Sequence, residues 1–78
     1  MKRRYGEYEW GSVFVEDRKE GWGGFDLYRC KQEKQVRVAR IAYWDASGEF
    51  VVETFEGDVP LIIIEELIDE AKTSIKLR

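Results

Sequence analysis

Only one stretch of this chain spaces its apolar residues for a helix, and the sole proline introduces it. Leu61, Ile64, Leu67, Ile68, Ala71 and Ile75 recur at steps of three and four, so they line one side of a helix. Asp58 stands where an N-cap belongs, and Pro60 falls in the first turn, where its missing N–H costs nothing. Glu65, Glu66, Asp69 and Glu70 come early and mostly off the apolar side; Lys72, Lys76 and Arg78 come late, as the helix dipole favours. The spacing predicts one helix over residues 59–76. Everything before it must build its share of the core from strands and turns.

The segments just upstream do read as strands. Arg37 to Trp44 and Glu49 to Phe55 are rich in β-branched and aromatic residues, and Asp45-Ala46-Ser47-Gly48 between them fits a type I turn closed by a left-handed glycine. That loop places Tyr43 opposite Phe50, Ile41 opposite Val52 and Arg40 opposite Glu53. The first two pairs then share a face with Ala39 and Thr54, and the ion pair shares the other with Ala42, Val51 and Trp44. Further forward, Phe25 to Lys31 alternates, with Phe25, Leu27 and Arg29 on one side and Asp26, Tyr28 and Cys30 on the other. Gln32 to Gln35 reads as a turn. Tyr5 to Val15 reads as one loosely alternating strand, with a bulge or bend at Gly11. Asp17 to Gly24, charged and then glycine-rich, reads as a loop or a wide hairpin connection, with Trp22 either an exposed recognition tip or folded back over the sheet edge.

The expected fold is therefore α+β: a four-stranded antiparallel meander followed by one C-terminal helix packed on one face, β-β-β-β-α, with residues 1–78 as a single domain. Histidine is absent and Cys30 is the only cysteine. That excludes a Ser-His-Asp triad, a Cys-His pair, a zinc knuckle and an internal disulfide, and neither a cofactor nor a metal is expected. The basic start, Met1 to Arg4, is followed by polar residues rather than an apolar core, and no apolar run is long enough to span a bilayer. With the lone cysteine this makes a cytoplasmic setting, and no membrane, the expectation.

One helix covers only part of a sheet that carries apolar residues on both faces, and the helix has a surplus too: Ile63 reads as sitting at the edge of the apolar stripe and Ile62 as projecting toward the polar side. A chain this small with spare apolar surface is expected to be a homodimer, burying the second sheet face or the outer helix edge. The first functional expectation is a non-enzymatic protein-interaction module of unknown process, with Trp22, Trp44, Ile62 and Ile63 as contacts to another protein. The alternative comes from charge. Residues 1–40 carry ten Lys and Arg against seven Asp and Glu, whereas residues 41–78 carry three against nine. Aromatics lie among the basic residues, so a single-stranded nucleic-acid interface would use Arg3, Arg4, Tyr8, Trp10, Arg29, Lys31, Arg37 and Arg40, with bases stacked on rings and cations following phosphates. The net charge of −3 works against that alternative. In the order of its elements and its expected dimer, though not in any motif residue, the chain resembles the positive cofactor 4-like single-stranded DNA-binding proteins. The acidic residues of the helix read chiefly as a solvated polar face, and Gly21 to Gly24 lacks any phosphate-loop spacing.

Overall fold

The computed structural model describes residues 1–55 and 57–75. Five strands, β1 (Lys2–Tyr5), β2 (Tyr8–Asp17), β3 (Trp22–Lys31), β4 (Lys34–Trp44) and β5 (Glu49–Thr54), form one antiparallel sheet in the order β1-β2-β3-β4-β5. The helix α1 (Leu61–Ser74) follows and packs on β3 and β4. The class is α+β as expected, but the meander has five strands rather than four.

The extra strand comes from a reversal inside the first apolar run. Gly6 takes φ +65° at the first position of a two-residue turn, which a glycine adopts without steric cost, and this folds β1 back on β2 with Tyr5 opposite Tyr8. Gly11, where a break was expected, lies within β2, paired to both Lys2 and Tyr28. The expected Asp17–Gly24 loop shrinks to its first half. Trp22, Gly23 and Gly24 belong to β3, because the strands approach so closely there that a side chain cannot fit: a Cβ on Gly24 would lie 1.8 Å from the Ile41 carbonyl oxygen. Gly24 marks a close approach of backbones, not a flexible segment.

The β4–β5 hairpin has the expected register, with Arg40 opposite Glu53, Ile41 opposite Val52 and Tyr43 opposite Phe50, and Gly48 closes its loop at φ +67°. The β3–β4 turn is tighter than the expected four residues, and Gln32 and Glu33 both adopt positive φ, 51° and 66°. Between β3 and β4 the register slips once: Leu27 pairs with Ala39 and Tyr28 with Arg37, so Val38 has no partner on β3. This is a bulge, and Val38 and Ala39 are both fully buried.

The core lies between the helix and one sheet face. Ile63, Leu67 and Ala71, spaced four apart, meet Trp10, Phe25, Leu27, Val38, Ala39 and Ile41. Fully burying a Leu or Ile contributes about 1.5–3 kcal/mol. Ile63 is therefore a core residue with no exposed surface, not an interface residue. The line through residues 63, 67 and 71 is the centre of the buried stripe, and Leu61 falls off it. Helix entry also differs from expectation. Pro60 is the N-cap, its carbonyl accepting from the Ile63 and Ile64 N–H groups, and no side chain caps the helix. The proposed helix end at Lys76 lies outside the described residues. The acidic face is not wholly solvated: Glu66 pairs with Arg3, and Glu70 accepts from Ser12 and from the Met1 amino group, each at 2.5 Å.

Candidate functional site

Side chains of a strand alternate between faces, so the pairings sort the sheet into rows. On the face away from the helix, the open face, the rows are Asp17–Trp22–Trp44–Glu49, Val15–Gly24–Ala42–Val51, Val13–Asp26–Arg40–Glu53 and Lys2–Gly11–Tyr28–Arg37. Arg37 and Arg40 are three residues apart and would point to opposite faces of an unbroken strand. The extra residue at Val38 puts both on the open face.

Asp26 sits between these two arginines and is 3% exposed. Arg40 donates from Nε to Oδ1 at 2.6 Å and from a terminal nitrogen to Oδ2 at 3.2 Å, and Arg37 adds a longer contact at 3.4 Å. Donating to the Asp26 carboxylate raises the Arg40 pKa above its ordinary value, against an opposing effect of burial. Arg40 also lies over Trp22, 4.6 Å from the ring centroid, and Trp22 lies beside Trp44 with centroids 6.0 Å apart. The guanidinium thus roofs the small residues Gly24 and Ala42. Arg37 stacks in turn on Phe55 at 4.6 Å. Both arginines are therefore committed within the chain.

The proposed contact residues divide. Trp22 and Trp44 are half-buried neighbours on the open face, and Ile62 is exposed on the outer side of α1, while Ile63 is buried. The open face continues past Val13, 51% exposed, to a shallow depression of about 350 Å³ beside Gly11, Tyr28 and Cys30. Cys30 is half-buried there.

The nucleic-acid set is split between both faces. Arg4 is exposed on the open face with Arg37 and Arg40. Arg3 lies on the helix face and pairs with Glu66. Trp10 is 2% exposed, and its indole N–H donates to the Tyr5 carbonyl at 3.2 Å, so its ring offers no surface for stacking. The remaining three do come together: Arg29 and Lys31 both lie over Tyr8, at 4.8 and 5.5 Å, and with Lys34 they line a depression of about 470 Å³ at the β3–β4 turn. Lys34 was not in the expected set; its position next to a two-residue turn is what brings it in.

Among the described residues no three of His, Cys, Asp and Glu gather as a metal-binding group, and no helix is long and apolar enough to cross a membrane. Comparison with protein-family models, curated proteins and solved structures finds no match for this chain.

Proposed function

We propose that the chain is a non-enzymatic interaction module of the cytoplasm that works as a homodimer and presents Trp22 and Trp44 on its open face to another protein. The observation that carries this reading is the apolar surface left over once α1 has closed on the sheet: Leu61 is 73% exposed, Phe14 53% and Val13 51%. Such surface on so small a domain is the usual mark of a contact. The engagement of Arg40 and, more loosely, Arg37 by Asp26, and of Arg3 by Glu66, supports protein over nucleic acid, because a phosphate would have to compete with a carboxylate already in place. Sedimentation equilibrium across micromolar concentrations tests the dimer. Twice the 9.2 kDa of one chain is expected, and a single-chain mass throughout would end the reading.

A second reading rests on the corner around Tyr8, where Arg29, Lys31 and Lys34 cluster. Here a single-stranded nucleic acid would be held by its phosphates rather than by stacking, since Tyr8 is already roofed by cations. Titration of tryptophan fluorescence with a short oligonucleotide at low salt decides it: a signal that weakens steeply with salt supports this reading, and a flat response removes it.

A further inference from the structure

Helix α1 buries one apolar line fully and a flanking line only in part: Ile64 and Ile68 touch the core along one side and leave the other side uncovered. Ile63, Leu67 and Ala71 face the sheet. Glu66 and Glu70 lean toward β1 and β2, where they meet Arg3 and Ser12. Ile64 and Ile68 each lie two positions from one of these acids, which is about 160° round the helix, so they lean the other way, toward the β5 side. Leu61, Ile64 and Ile68 run along that flank at the three- and four-residue steps of a helix–helix seam, and Ile75, the extended C-cap, lies just past its end. Ile64, Ile68 and Ile75 are half-buried, and Leu61 at the head of the stripe is the most exposed large apolar residue of those described.

Charge beside the stripe selects the occupant. Glu65 and Lys72 are both exposed, lie three residues before and four after Ile68, and make no ion pair among the described residues. We infer that two copies of the chain associate through α1, packed antiparallel about a two-fold axis near Ile68, with Glu65 of each copy facing Lys72 of the other. An isologous contact uses the same patch twice, and this patch is self-complementary: apolar against apolar, with acid against base at both ends. The arrangement rests on the homodimer reading and leaves the open face, with Trp22 and Trp44, free for a different protein.

Charge reversal tests it. Glu65→Lys alone and Lys72→Glu alone each place two like-charge contacts in the dimer and should weaken it about tenfold, as measured by sedimentation equilibrium. An equimolar mixture of the two variants restores both attractions in a mixed dimer and should recover the wild-type affinity; loss in each single variant together with recovery on mixing is the antiparallel signature, because a parallel pairing would set like charges together already in the wild type. Unchanged helical circular dichroism shows that the variants are folded. A wild-type chain that is monomeric throughout removes the homodimer reading and this contact with it. A wild-type dimer that ignores both reversals, is not recovered by mixing, or dissociates with Trp44→Glu instead, overturns the α1 contact while the homodimer reading stands.

Discussion

The two faces of this sheet are closed by opposite chemistry. On the helix face the centre of the row Ser12–Leu27–Ala39–Thr54, Leu27 and Ala39, is sealed by hydrocarbon brought from elsewhere in the chain, chiefly Ile63 and Leu67. On the open face the matching row, Val13–Asp26–Arg40–Glu53, buries only Asp26, covered by its own neighbour Arg40, and leaves Val13 and Glu53 exposed. The Arg40 guanidinium both grips Asp26 and lies over Trp22, so a long cationic side chain covers part of the face that a second helix would otherwise cover. A chain with one helix can thus order both faces. The cost differs, because apolar burial stabilises directly, whereas the gain from a buried ion pair is largely offset by desolvating it.

That contrast can be broken from either side. Leu67→Ala, in the fully buried centre of the helix face, should cost about 2–5 kcal/mol and leave the chain largely unfolded in a urea melt. Gly24→Ala strikes the backbone crossing between the faces; a methyl group meeting the Ile41 carbonyl should cost about 3 kcal/mol, again read by denaturation. Asp26→Asn leaves two arginines without their anion. Since Arg37 and Arg40 retain some water contact, the loss should be about 2 kcal/mol, below that of a fully buried pair. If Asp26→Asn proved as damaging as Leu67→Ala, the two faces would have to be regarded as equal partners in stability. The smallest effect has the opposite sign. Replacing Gln32-Glu33 by Asn-Gly, residues that accept positive φ, should raise the melting temperature by about 5 °C, away from both faces.

What the sequence disclosed and what it hid follow the same division. The helix and the β4–β5 register were legible because each is written in several agreeing residues: a stripe of six apolar positions in one, three matched cross-strand pairs in the other. β1 was not, since Lys2, Arg3 and Arg4 show no apolar alternation and owe their strand to pairing with β2. Trp22-Gly23-Gly24 imitates a loop because glycine signals both flexibility and close approach, and only the neighbouring strand distinguishes them. The site was the least legible part. Its organising feature, the bulge at Val38, leaves one trace: the doublet Val38-Ala39 breaks a strict alternation and sets two arginines three apart. Without the bulge, Arg37 and Arg40 appear to belong to different faces, and the trap for Asp26 is invisible.

The order of the strands also has a consequence in time. Every strand pairs with the one before it, so the sheet can assemble as a succession of hairpins, each closing a short loop, without waiting for distant segments. The helix that shields Leu27, Val38 and Ile41 follows all five strands in the chain. During synthesis a finished sheet therefore precedes its cover, and for that interval the nascent domain carries its most adhesive surface bare.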